Sequence, residues 1–278
     1  MGAAEVSDHI SLLVSVNEAG TISADALARL PEDSLQVACD RITELADHMD
    51  PVLLTRCLSK LSRADTVPDD MIQRLSRRAI QRIPDTPLGC LARLIFSVAA
   101  RLDADTGNRL FRESASRILE LTSHFDTVPP KVLGKLFVGL PRIQQESHDT
   151  FLWERLESFS MHGIGAMDAE HVQQVAYGIA MRSSFDNLPL VTALLKQACS
   201  VADKANTRTH MALIISMSRL PKSAADEELW SLFKRLSRDR IGLKDGPFPL
   251  GLLRTLLARQ NGSFTDHQLR RIRYSLKM

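Results

Sequence analysis

LIFSVAAR, residues 94–101, is an apolar run that closes on a single arginine, and the chain repeats this construction five more times. The segments LLTRCLSKLSR, LARLIFSVAAR, KVLGKLFVGLPR, VQQVAYGIAMR, MALIISMSR and LGLLRTLLAR end on Arg63, Arg101, Arg142, Arg182, Arg219 and Arg259, at intervals of 38, 41, 40, 37 and 40 residues. Two residues before the arginine stand Leu61, Ala99, Leu140, Ala180, Met217 and Leu257. Six before it stand Cys57, Ile95, Leu136, Ala176, Leu213 and Leu253. Five before it stand Leu58, Phe96, Phe137, Tyr177 and Ile214, with Arg254 breaking the column. Offsets of two, five and six share one face of a 3.6-residue helix. A period near 40 around a constant helical core is the signature of a stacked helical repeat. The expected fold is therefore all-α: a right-handed α-solenoid of six to seven antiparallel helix pairs, with the columns two and six before each arginine buried.

Each unit reads as a helix A that carries the phased arginine and a more charged helix B. The units run 49–84, 85–125, 126–166, 167–204, 205–243 and 244–278, six helix-turn-helix repeats over residues 49–278. Asp50-Pro51 and Thr86-Pro87 each combine a capping side chain with a first-turn proline. Asp168, Asn206 and Asp245 are capping or turn residues for later A helices, and Pro68-Asp69-Asp70 opens a B helix with acids at its positive end. Residues 1–48 read as a degenerate N-terminal capping repeat, with SLLVSV as its helix A and Glu18 where an arginine would stand. A terminal repeat exposes one face to solvent and departs from the pattern for that reason.

The chain has 278 residues, a net charge of +2 and 44% hydrophobic residues, which suits a folded chain without long disordered tracts. No run of about 18 apolar residues exists, so no membrane span is expected. The near-zero charge argues against a protein coated in nucleic acid, while leaving room for a local basic face. Arginine outnumbers lysine 26 to 9; it is the better residue for bidentate phosphate contacts, and also a good helix former. Cys39, Cys57, Cys90 and Cys199 form no CxxC pair and read as small core residues of a reducing compartment. The start MGAAEVSDHI has neither the basic, apolar sequence of a secretory signal nor the arginines of a mitochondrial presequence.

The histidines show no zinc spacing, and no P-loop, GxSxG or GxGxxG occurs. Ser123-His124 and Ser147-His148 sit between helices, where capping accounts for the serines. The expectation is a protein without catalytic or metal-binding residues, cofactor or small-molecule substrate.

Two roles are open to the phased arginines. A guanidinium at a helix end can bond free carbonyls and bridge to the acids that follow, Asp65, Asp103, Glu146, Asp186, Asp226 and Asp266. Alternatively, Arg63, Arg101, Arg142, Arg182, Arg219 and Arg259 form a ladder tracking a phosphate backbone. Other basic residues cluster in B helices: Arg74, Arg77, Arg78 and Arg82; Lys234, Arg235, Arg238 and Arg240; Arg270, Arg271, Arg273 and Lys277. Of these, Arg74, Arg78, Lys234, Arg238, Arg270 and Arg273 join the arginine ladder as candidate RNA- or partner-binding residues. Aromatics for base stacking are scarce: Trp153, Trp230 and Tyr274 are the candidates, and both tryptophans lie within apolar patterns and read as buried anchors.

The A-helix endings LIFSVAARL (94–102) and AYGIAMR resemble the heptatricopeptide-type repeats of RAP-domain and FAST-kinase-like organellar RNA-binding proteins, whose repeats end aliphatic–aromatic–Ala–Arg–Leu. The likeness covers about residues 49–278, without space for a RAP domain and without the two-residue base code of pentatricopeptide proteins. It implies a mitochondrial, noncatalytic scaffold or RNA-binding subunit, acting in RNA processing, RNA editing or a mitoribosome, with other protein subunits and RNA as partners and no membrane. The alternative is an armadillo- or HEAT-like protein scaffold, cytoplasmic or organellar, with no RNA contact.

Overall fold

The structure is a computed structural model that describes residues 48–143, 149–182 and 185–206, together with isolated positions between 40 and 46 and between 209 and 220. Every regular element among these residues is helical, with no strand. Eight α-helices follow in order: α1 (Pro51–Leu61), α2 (Asp69–Gln81), α3 (Leu88–Val98), α4 (Ala104–Thr122), α5 (Pro130–Ile143), α6 (Thr150–Gly163), α7 (Ala169–Ala180) and α8 (Leu188–Val201). Short 3-10 turns at Ile83–Asp85, Ile164–Ala166 and Ala202–Lys204 follow α2, α6 and α8. The chain divides into two compact units, 1–159 and 160–278. Most of the N-terminal repeat expected over 1–48 and most of the two units expected over 205–278 lie outside the described residues.

Local chemistry sets the helix starts. The Asp50 carboxylate accepts from the Val52 and Leu53 amides at 2.8 and 3.3 Å, with Pro51 at the first helical position. Asp103 caps α4 through the Thr106 amide at 2.7 Å, and Asp168 caps α7 through the His171 amide at 2.9 Å. Asn206 likewise accepts from the Thr209 amide at 2.9 Å. α2 opens on Asp69 and Asp70 after Pro68. Thr86 departs from expectation. A residue before proline is held in extended backbone, and Thr86 has φ −90° and ψ 125°. Its hydroxyl donates back to the Arg82 carbonyl at 2.8 Å, and Pro87 stands at the N-cap with no side-chain cap bond.

In the unit 1–159, α3 lies between α1 and α5, and the next helices, α2 and α4, pack against each other. The phased columns form the core. Leu61, Leu140 and Ala99 are buried two residues before their arginines, and Cys57, Ile95 and Leu136 are buried six before. α3 and α5 come close at Gly139, where an added Cβ would stand 2.7 Å from Ile95 Cγ2 and 3.0 Å from the Phe96 nitrogen. Only a glycine allows that approach. Trp153 of α6 is buried against Phe137 of α5, ring centroids 5.7 Å apart and tilted by 56°. The Ser97 hydroxyl donates to Ser59 Oγ at 2.8 Å, tying equivalent positions of α3 and α1, each four residues before its arginine.

In the unit 160–278, α7 packs against α8. Val172, Val175, Ala176 and Ile179 of α7 and Leu190, Val191, Leu194 and Ala198 of α8 are buried. Leu213 and Met217 continue the buried columns, whereas Ala180, the last residue of α7, is half-buried. Gln173 of α7 donates to Ser216 Oγ at 3.2 Å, and Gln197 of α8 donates to the Met167 carbonyl at 2.7 Å.

Candidate nucleic-acid interface

Four of the phased arginines share one backbone setting. The N–H groups of Arg63, Arg101, Arg182 and Arg219 donate to the carbonyls of Lys60, Val98, Ile179 and Ser216, each three residues back, at 2.9–3.2 Å. Arg63, Arg101 and Arg182 therefore sit just past a helix end rather than inside its last turn. Arg142 is within α5, one residue after Pro141.

The side chains differ. Arg101 is only 17% exposed and is spent inside the fold. Its Nε donates to Asp69 Oδ1 at 2.6 Å, one terminal nitrogen donates to the carbonyls of Ser62 and Ala64 at 3.4 and 3.2 Å, and the other donates to the Val67 carbonyl. This guanidinium closes the turn between α1 and α2, in the preceding helix pair. Sequence order suggested a bridge to the acid that follows, Asp103. Asp103 is instead engaged by its own helix start and by Arg77, whose terminal nitrogen lies 3.5 Å from Oδ2. The cap holds the Asp103 carboxyl below its usual range, chiefly through the Thr106 backbone bond, with the Arg77 charge adding to it. Arg182 lies over the Phe185 ring, 5.5 Å from its centroid. Arg63, Arg142 and Arg219 are exposed. Arg259 lies outside the described residues.

The basic cluster of α2 faces carboxylates. Arg74 lies 3.5 Å from Asp40 and 3.6 Å from Asp70, Arg77 pairs with Asp103, and Arg82 lies 3.7 Å from Asp85. Arg78 is exposed on the same helix. This is a mixed-charge surface rather than a positive one. Lys234, Arg238, Arg270 and Arg273 lie outside the described residues, as do Trp230 and Tyr274. A further arginine that sequence reading passed over, Arg155 of α6, caps α4. It donates to the Thr122 carbonyl at 2.7 Å and the Phe125 carbonyl at 3.4 Å, with its guanidinium 4.6 Å from the Phe159 ring centroid.

Among the described residues of the unit 1–159, the helices that carry cations and no acid are α1, α3 and α5. The open positions of these helices include Leu53, Arg56 and Lys60 on α1; Gly89, Cys90, Arg93, Phe96 and Ser97 on α3; and Lys131, Val132, Lys135 and Arg142 on α5. The three helices carry Arg56, Lys60, Arg93, Lys131, Lys135 and Arg142 and not one acid. Neighbouring α2, α4 and α6 all mix signs. Among the described residues, Arg56, Arg93, Lys131 and Lys135 have no carboxylate within ion-pair distance. Burial pushes the Lys135 ammonium below the usual lysine range, and the charges of Arg93, Lys131 and Arg63 push it further the same way. The missed signal was the absence of Asp and Glu from the segments 51–61, 88–98 and 130–143, visible in the sequence once charge is counted helix by helix.

No family model and no curated protein matches this chain.

An open cleft of about 590 Å³ lies in the unit 160–278 beside Met167, Asp168, Glu170, Gln197, Lys204 and Asn206. Three of its polar groups serve the fold: Asp168 and Asn206 cap helix starts, and Gln197 holds the Met167 carbonyl. Cys57 is buried, which raises its thiol pKa and makes it a poor nucleophile. Ser123 donates to the Glu120 carbonyl at 2.7 Å at the end of α4. Ser147-His148 and Cys39 fall outside the described residues. No described helix is long and apolar enough to cross a membrane.

Proposed function

We propose that this protein is a noncatalytic helical-repeat subunit of an RNA-containing assembly, in which stacked helix pairs form a right-handed α-solenoid that contacts RNA and other protein subunits. The observation that carries this reading is the segregation of charge. In the unit 1–159, the charged residues of three neighbouring A helices are all cations, while the described acids stand on B helices and in turns. Same-sign cations gathered on a surface repel one another and attract a polyanion. The resemblance of LIFSVAARL to heptatricopeptide-type repeats supports the same reading and adds mitochondrial RNA processing, RNA editing or a mitoribosome as the setting.

A second reading, a protein-only scaffold of armadillo or HEAT type in the cytoplasm or an organelle, draws on Arg101 and Arg155. Both guanidiniums are engaged by backbone carbonyls of the preceding helix pair, which is how a stack stiffens itself without any ligand. Purification of the tagged protein with and without ribonuclease separates the two. Partners that belong to an RNA-containing assembly and fall away after nuclease support the first. A partner set that survives nuclease and includes no RNA-containing assembly overturns it.

A further inference from the structure

The α1–α3–α5 surface is shaped for one part of a nucleic acid. α3 is flanked by α1 on one side and α5 on the other, so the open stripes of the three helices lie next to one another. Helices in contact are spaced about 8–10 Å apart, which spreads the cations in rows across the helix axes. Arg93, Lys131 and Lys135 lie close enough together for Lys135 to feel both neighbours' charges. No carboxylate pairs with any of the three among the described residues. A cluster of this kind is electrostatically unfavourable by itself and is relieved by an anion. Platforms for base stacking are scarce here. α1 has no aromatic residue, Phe137 of α5 is fully buried and Phe96 of α3 is half-buried. Base-stacking proteins need aromatic faces turned outward; this surface offers guanidinium and ammonium donors instead.

We propose that the stripe formed by Arg56, Arg93, Lys131 and Lys135 binds the phosphodiester backbone of single-stranded RNA, and does so without reading base sequence. This rests on the reading that the protein contacts RNA. It places the contact on the A helices of the unit 1–159, and it assigns Arg101 and the α2 arginines to the fold.

Gly89 provides a test that removes no packing. It is exposed on the same stripe, one turn before Arg93, and a Cβ added there meets nothing within 4 Å. It lies in the first turn of α3, where an acid is favourable to the helix. Gly89→Glu should therefore hold or raise the melting temperature while setting a carboxylate beside Arg93. The measurement is fluorescence anisotropy of the full chain with a labelled single-stranded RNA of mixed sequence, over a series of salt concentrations. Polyglutamate serves as competitor.

Gly89→Glu should weaken RNA binding several-fold. The double variant Arg93→Gln/Lys135→Gln should weaken it about tenfold and lower the slope of log affinity against log salt by about 1.4, at about 0.7 per lost phosphate contact. A charge-matched double variant on α4, Arg109→Gln/Arg112→Gln, should stay near the parent. Homopolymers of different base should bind alike. RNA binding unchanged in both α3–α5 variants, with the parent binding RNA, overturns the placement and leaves the proposed function standing. A strong preference among homopolymers overturns the backbone-only mode. A parent that binds no RNA, or that prefers polyglutamate to RNA, overturns both the placement and the proposed function.

Discussion

Arg101 and Asp69 meet at 2.6 Å, joining the turn after α3 to the first residue of α2 across 32 positions of sequence. The same guanidinium donates to carbonyls of Ser62, Ala64 and Val67. One side chain thus adds three carbonyl bonds to a turn whose own backbone bonds are the short-range ones at Ala64 and Val67. The planar fork makes this possible, since it presents five donors in fixed directions.

Arg101→Ala should destabilise the protein by about 2 kcal/mol, the order expected when part-buried carbonyls and a charge lose their partner. Arg101→Lys should recover only part of that, because an ammonium can face Asp69 but cannot reach three carbonyls. Arg63→Ala, at an exposed position in the same phase, should stay within about 0.5 kcal/mol. Urea denaturation of the three variants checks this. Equal losses for Arg63→Ala and Arg101→Ala would contradict the clamp.

Two glycines should respond oppositely to alanine. At Gly139 the new methyl would meet Ile95 Cγ2 and the backbone of α3 at 2.7–3.1 Å, so the two helices must part. A loss of about 1–3 kcal/mol is expected, despite alanine's better helix propensity. At Gly89 nothing stands within 4 Å, and Gly89→Ala should gain about 0.4–1 kcal/mol by restricting the unfolded chain. Thermal melts of the two single variants read out the difference in sign.

The Asp103 cap should show in acid. Its folded carboxyl titrates below the usual range, because the ionised form accepts the Thr106 amide and faces Arg77. The unfolded state therefore binds the proton first as pH falls. The stabilisation is complete above the unfolded value of about 3.9 and is lost as pH drops through the folded value. Asp103→Ala should cost about 1 kcal/mol at pH 7, as loss of an N-cap does, and the gap to the parent should narrow in denaturation series taken below about pH 4. A gap independent of pH would mean that the carboxylate charge contributes nothing.

Lys135 should behave the other way round. Burial, then Arg93, Lys131 and Arg63, depress its folded pKa. Between that value and the unfolded value near about 10.4 the unfolded state holds more protons, so stability rises with pH across the window. Lys135→Gln should therefore raise the melting temperature at pH 7, and its advantage should fade as pH climbs towards about 10.4. Saturating single-stranded RNA should reverse the order, with the parent melting higher. A Lys135→Gln protein that melts below the parent at pH 7 without RNA would show that Lys135 has a favourable partner in the fold.

Much of the helical architecture was written in local pattern. Buried Leu61, Ile95, Leu136, Ala176 and Met217 follow from a 3.6-residue period, and the starts at Asp50, Asp168 and Asn206 follow from capping chemistry between near neighbours. Thr86 was misread because its choice between capping α3 and bonding back to Arg82 depends on where the preceding 3-10 turn ends. The candidate surface was legible only in part. Clusters such as Arg74 to Arg82 stand out in sequence, yet Asp40, Asp70, Asp85 and Asp103 stand beside them in space. Arg93 and Lys135 are far apart in sequence and become neighbours only when α3 and α5 pack side by side.

By itself, the sequence determined the helices, their period near 40 and which face of each is apolar, because those properties depend on residues within about two turns of one another. Tertiary structure alone decided which arginine is spent and which is offered. A guanidinium's role depends on the carbonyls and carboxylates that reach it from other helices. Arg101 found four such groups across a helix pair, whereas Arg93 found none among the described residues.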